Sequence, residues 1–187
     1  MHDTFLTDGE LTRLLDQPDL GTKVGIRNMA IILLMLETGA KSGELLGKEG
    51  DSDTIRGGLR LRDVHGETTD RRILLHKASD GSCRTVGVPA SAARFLDAWL
   101  AVRPRCASDL VFVTSRGTRI LNRYIRKTLH DYGVAAGIAT EVKPSVLRHT
   151  YARRRLAAGA DLEQLAESLG HKHIISSVRY LFPEGPR

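Results

Sequence analysis

The longest apolar run in the chain, Met29–Leu36 (MAIILLML), sets the first bound on what it can fold into. A helix that crosses a bilayer needs about 20 consecutive apolar residues, and this run has eight. The start of the chain, MHDTFLTDGE, lacks the pattern of a secretion signal, so the expected compartment is the cytoplasm, with no membrane partner. At 187 residues and 41% apolar content there is room for one fair-sized domain or two small lobes with a core of their own. Cys83 and Cys106 offer neither a paired framework nor metal-ligand spacing and read as free thiols of a reducing compartment. A net charge of +6 favours an anionic partner, nucleic acid among others.

Punctuation along the chain predicts a mainly α-helical α+β domain with one small antiparallel β-sheet. Thr7-Asp8-Gly9-Glu10 has the form of a capping box, followed by Leu11, Leu14 and Leu15 at helical spacing. A second helix is expected over Thr22–Glu37, ending at Thr38-Gly39, and a short third one from Ser42. Between about Gly57 and Val88 the texture changes. The segments GLRLRDV, RRILLHK and CRTVGV alternate and are broken by Gly and Asp, which suits short strands. Asp80-Gly81 marks a tight turn between the last two. Helices resume over 90–102, with Phe95, Leu96, Trp99 and Leu100 on one stripe, and again near 121–135, 145–158 and 161–169. In the last of these Asp161 caps the start and Gly170 stops the end. The chain is expected to form a single domain over residues 1–187, without internal repeats.

Several residues in these elements could do chemistry, and each also has a structural reading. Arg148 lies three residues after Ser145 at the start of PSVLRHTYARRRLAAGA, where a surface cation is ordinary. His171 follows the Gly170 stop, as a polar helix-ending residue can. Tyr180 ends a short segment that Ser176 could cap, and could simply be packed. Lys77 lies on the strand leading to the Asp80-Gly81 turn, where an edge lysine discourages aggregation.

Taken together, TGAKSGELLG (38–47), HKASDGSCRTVGVP (76–89), VLRHTYARRRLAAGADLEQLAESLGH (146–171) and ISSVRY (175–180) resemble the catalytic domain of the tyrosine recombinases, the phage-integrase family. The resemblance runs over about residues 5–181. It implies that family's catalytic-domain fold and a DNA strand-exchange enzyme. A side-chain oxygen attacks the phosphodiester and holds it as a covalent 3′-phosphotyrosine, so that no water, metal or ATP is needed. Phosphoryl transfer of this kind rests on positioning and on cations and donors around the phosphate. By the same resemblance Tyr180 is the nucleophile, Arg148 and His171 bind the scissile phosphate, and Lys77 protonates the departing 5′ oxygen.

Two positions depart from the family pattern. Where it has a first phosphate-clamping arginine this chain has Lys41, which keeps the charge but loses the planar fork. Losing one charge-assisted hydrogen bond, about 1.5–3 kcal/mol, slows cleavage without abolishing it. Where the family usually has histidine, this chain has Ser145, which can still donate to phosphate; Lys143 is placed to compensate in part. Glu44 matches the acidic residue after the first arginine and is expected to orient a neighbouring cation or histidine, against the alternative of a solvated carboxylate.

Further basic residues suit a DNA surface or, equally, a solvated helix face: Arg153, Arg154 and Arg155 after Arg148, then Arg119, Arg123, Arg126 and Lys127, and Lys172 beside His171. The partner implied is double-stranded DNA, bound as a dimer or tetramer, with a monomer expected in free solution. No cofactor or metal is expected, since no His/Cys/Asp cluster has ligand spacing. Relative to the family, an N-terminal core-binding domain and a helix after the tyrosine are not present in the sequence, as in an excised piece or a short recombinase resembling the fimbrial-switch inversion enzymes. Two other functions stay open: a DNA-binding relative weakened by Lys41 and Ser145, and a relaxing enzyme of the type IB topoisomerase kind.

Overall fold

The structure, a computed structural model, describes residues 5–49, 55–77, 81–171, 173–178 and 180, with backbone only at Glu49, Ile55 and Arg56. The Thr7 hydroxyl accepts from the Glu10 N–H at 3.3 Å and the Glu10 carboxylate accepts from the Thr7 N–H at 2.8 Å. This reciprocal cap starts α1 (Asp8–Leu15) and satisfies two donors that a helix end otherwise leaves open. Thr22 caps α2 (Lys23–Thr38) by accepting from the Gly25 N–H at 3.0 Å. A short α3 (Ser42–Leu46) leads to a two-stranded ribbon, β1 (Lys48–Glu49) with β2 (Ile55–Arg56). The three-stranded antiparallel sheet is β3 (Val64–His65), β4 (Arg72–His76) and β5 (Cys83–Gly87), with β4 central. The remaining helices are α4 (Ala90–Val102), α5 (Asn122–Ala135), α6 (Pro144–Ala157), α7 (Leu162–Leu169) and α8 (Ile175–Val178).

The run Met29–Leu36 is buried at every residue. A helix that is apolar all round must be covered on all sides, and α2 is, packing against α4 and α6. On α4, Leu96 and Trp99 are buried and Phe95 and Leu100 half-buried against the same core. Trp99 donates its indole N–H to the Val111 carbonyl at 2.8 Å, so its one polar atom is satisfied. The fold is thus mostly helical with a small antiparallel sheet, as the sequence pattern predicts.

Two local expectations need correction. GLRLRDV is not a strand: Leu61–Asp63 forms a 3-10 turn and only Val64 enters the sheet. The Asp63 carboxylate accepts from the Arg60 N–H at 3.2 Å, while the Leu59 and Leu61 N–H groups donate to the Leu45 and Asp109 carbonyls. The segment therefore makes one isolated antiparallel bridge, Arg60 with Leu110, and a local turn at Asp63 instead of joining the sheet along its length. Ser176 does not cap α8 but lies inside it, its N–H donating to the His173 carbonyl at 3.0 Å. Asp80 lies outside the described residues; Gly81 has φ 70° and donates to the Lys77 carbonyl, and Lys77 follows β4 directly.

Candidate active site

Two helix ends converge on one guanidinium. Helix α2 stops at Gly39, whose φ of 64° is left-handed. A Cβ there would come within 2.6 Å of the Tyr151 ring and 2.7 Å of Leu169, so the close approach of α2 to α6 and α7 needs glycine. The Gly39 carbonyl accepts from Arg148 Nη1, and the Leu169 carbonyl, in the last turn of α7, accepts from Nη2 at 2.8 Å. Asp161 caps α7 in a reciprocal box with Gln164, and Gly170 ends it at φ 64°, turning the chain into His171. His171 Nε2 lies 3.1 Å from Arg148 Nη2. A guanidinium can only donate, so Nε2 accepts, the ring proton sits on Nδ1, and Nδ1–H donates to Ser177 Oγ at 2.8 Å. Arg148 is 5% exposed. Burial pushes its guanidinium below the usual arginine range, opposed by the Tyr180 phenol and the Glu44 carboxylate.

The short α8 carries the chain back so that Tyr180 packs against α6 and α7. Its ring lies parallel to His171, with centroids 6.2 Å apart and 6° between planes, and edge-on to His149 at 5.2 Å and 78°. It is 4% exposed and packs with Tyr151, Leu165 and Leu169, while its phenol lies near enough to Arg148 to favour the charged guanidinium. Tyr180 is therefore at once a core residue and the partner of the buried arginine.

In front of these groups opens a cleft of about 570 Å³. Lys41, Lys48, Lys77, Arg126, Lys143 and Arg148 line it, together with Glu44, Ser145, His149 and Tyr180. Lys41 is pushed below the usual lysine range by partial burial and by Arg148 and Lys77, against Glu44. Ser145 and Lys143 stand exposed at the start of α6, and Lys143 is shared with Glu141 at 3.1 Å. Glu44 is 2% exposed. Its two oxygens take Arg84 Nη1 at 2.5 Å and Nη2 at 3.0 Å, and one also accepts from the Lys41 N–H at 2.8 Å. Burial pushes the Glu44 carboxyl up, but Arg84 and the Lys41 N–H outweigh it and hold the group below the usual carboxylate range. Arg84 Nε in turn donates to the Ser168 carbonyl at 3.0 Å, joining α3, β5 and α7 behind the site.

The sequence-expected residues Lys41, Glu44, Lys77, Ser145, Arg148 and Tyr180 share this cleft, and His171 sits behind it on Arg148. Of the expected DNA-facing residues that are described, only Arg126 lines it. Arg119 and Arg123 line a separate cavity, and Lys127 pairs with Asp131 at 2.6 Å. Arg153 lies over the Phe5 ring at 4.8 Å, Arg154 faces Glu37 at 3.5 Å, and Arg155 is exposed in the last turn of α6. These three lie roughly 7–10 Å along the helix axis from Arg148. Lys172 lies outside the described residues. Sequence reasoning did not single out His149, Lys48 or Arg84. His149 could have been found: four residues after Ser145, it shares that helix face.

A cleft with this many cations and one buried phenol is built for an anion. The model of the Phage integrase family matches residues 4–184. The chain belongs to the phage integrase family. The tyrosine recombinase XerC of Myxococcus xanthus is 31% identical over 181 residues, covering 91% of this chain and 55% of that protein. Two solved structures are similar: the XerA recombinase (26% identity, TM-score 0.79, 95% of this chain and 60% of that one), and the XerH site-specific recombinase in a post-cleavage complex with a palindromic difH substrate (26%, 0.80, 98% and 51%). The chain spans about half the length of such relatives of the integrase family.

Proposed function

We propose that this chain is the catalytic part of a site-specific DNA recombinase that cleaves and rejoins strands through a 3′-phosphotyrosine at Tyr180. The observation that carries the reading is the buried Tyr180 phenol beside the buried Arg148 guanidinium at the wall of a cleft lined by Lys41, Lys48 and Lys77. A phosphodiester seated there meets cations on several sides, which stabilise the charge that builds on its non-bridging oxygens. The Tyr180 phenol gives up its proton to solvent as its oxygen attacks phosphorus, the bond to the 5′ oxygen breaks, and Lys77 supplies that oxygen with its proton. A new 5′ hydroxyl reverses the step, so the phosphoester bond is conserved. His171 fixes Arg148, and Glu44 holds Arg84 and the start of α3 that carries Lys41.

Exchange between two duplexes cuts four strands, and each chain offers one phenol at its cleft, Tyr180, so four copies act together on DNA, assembled from pairs. The working place is then the cytoplasm, on the nucleoid. The names of the relatives above, recombinases by description, support the same reading.

The test is capture in cells. Cells expressing the chain are lysed in denaturant, and DNA covalently attached to it is isolated and sequenced. The unaltered chain should yield attached DNA ending at recurrent sites, and Tyr180→Phe none. Attached DNA that persists with Tyr180→Phe, or none from the unaltered chain, rejects the proposal.

A further inference from the structure

Of the serine pair Ser176-Ser177, both within α8, the first is exposed and the second is 0% exposed. A buried hydroxyl costs free energy unless it is hydrogen-bonded, and an alanine would fill nearly the same space, so the Ser177 oxygen has to be accounted for. It accepts from His171 Nδ1 at 2.8 Å. The main chain of the same residue is engaged as well. Its N–H donates to the Ile174 carbonyl at 2.7 Å, and its carbonyl accepts from the Tyr180 N–H at 3.0 Å. One residue thus holds the imidazole through its side chain and the turn that bears the phenol through its backbone. His171 itself is held by its N–H on the Ala166 carbonyl at 2.8 Å, by Nδ1 on Ser177, and by Nε2 at 3.1 Å from Arg148 Nη2. If Nδ1 is released, the ring can turn about its last side-chain bond, a broad torsion without deep staggered wells. Such a turn swings Nε2 off Arg148.

We propose that Ser177 is a positioning residue for strand cleavage. Its hydroxyl, by taking the Nδ1 proton of His171 in a hydrogen bond, sets the ring at the angle that keeps Nε2 on Arg148, and so keeps the guanidinium turned to a phosphate seated in the cleft. Ser177 does not line that cleft, so it acts on the reaction through the imidazole. Its place in the chain adds a second consequence. The guanidinium that meets the phosphate and the phenol that attacks it are both anchored to the same short helix, and a displacement of α8 reaches the two at once. The proposal rests on the recombinase reading and adds to it a residue that touches neither DNA nor the reacting atoms.

The test is a double-mutant cycle on duplexes carrying the sites recovered by capture in cells. Covalent-complex formation is timed in a single turnover at saturating protein, and non-covalent affinity is read by fluorescence anisotropy with Tyr180→Phe added to each chain. Ser177→Ala should slow the complex by about 10-fold or more, as loss of the group that orients a functional histidine typically does, and leave the affinity unchanged. Ser177→Thr, which keeps a hydroxyl, should retain most of the rate. His171→Leu should be slow by itself, and adding Ser177→Ala to it should cost nothing further, because the hydroxyl has no ring left to hold. A Ser177→Ala chain that reacts at the full rate overturns the inference. So does Ser177→Ala slowing the His171→Leu chain by the same factor as it slows the unaltered chain, which is the mark of a general loosening of α8. In both of these cases the unaltered chain still reacts and the recombinase reading stands. Failure of the unaltered chain to form a covalent complex on any such duplex overturns this inference and the recombinase reading together.

Discussion

Replacing Arg84 by methionine is the sharpest test of how the cleft is held. Arg84 and Glu44 have side chains 12% and 2% exposed, and the guanidinium meets both carboxylate oxygens. Removing one member of such a pair leaves the other buried and unpaired, which costs about 3–5 kcal/mol. In a chain of this size that is a fall in Tm of roughly 6–20 °C. The pH dependence identifies the cause. In the unaltered chain Glu44 lies below the usual carboxylate range, so its contribution is present above the unfolded pKa and is lost as pH falls through the folded one. In Arg84→Met the burial effect prevails and Glu44 rises above its unfolded value. The penalty is then full at neutral pH and shrinks as the pH falls and the buried carboxyl takes up a proton. Urea unfolding at about pH 7 and pH 5 should therefore show the deficit narrowing at the lower pH, and Glu44→Gln added to Arg84→Met should recover part of it. A deficit below about 1 kcal/mol, or one that widens on acidification, refutes the claim that Glu44 is a buried, paired carboxylate.

Further outcomes follow from the same geometry. Lys41→Arg should speed formation of the covalent complex by roughly 10-fold or more, since a forked donor replaces a point charge. Because Lys41 lies below the usual lysine range, it loses its charge earlier on the alkaline side, and Lys41→Arg should extend activity there; a slower enzyme with an unchanged pH profile would contradict this. Gly39→Ala puts a methyl group against Tyr151 and Leu169 at a positive φ and should cost about 1–3 kcal/mol in urea unfolding, with slower cleavage because the carbonyl that holds Arg148 moves. A change within about 0.5 kcal/mol would show the helix end to be pliant. His149→Leu removes the ring edge that meets Tyr180; it should slow covalent-complex formation with little effect on DNA affinity, and unchanged rates would make His149 a bystander.

Sequence and structure agree best where the stabilising partner is local. The boxes Thr7–Glu10 and Asp161–Gln164 and the left-handed glycines Gly39 and Gly170 each depend on residues within one turn, so they mark helix ends in any sequence that has them. Leu59 and Leu61 fail the same reading because their N–H groups find carbonyls contributed by Leu45 and Asp109, which alternation cannot anticipate. The site divides in the same way. Arg148, His171 and Tyr180 were legible through the spacing of their motifs, whereas Arg84 meets Glu44 across 40 residues of chain and carries no local mark. Lys48 was likewise hidden, since only the fold turns β1 toward the cleft.

Two of the acceptors that fix Arg148 are peptide oxygens, at Gly39 and Leu169. Main-chain atoms have no side chain to mutate, so drift in the surrounding sequence reaches these two contacts only by shifting the backbone that carries them. Redesign of the interior with equal-volume apolar residues should for that reason leave the aim of Arg148 untouched, and attempts to retune the centre belong instead to the lysine-bearing rim.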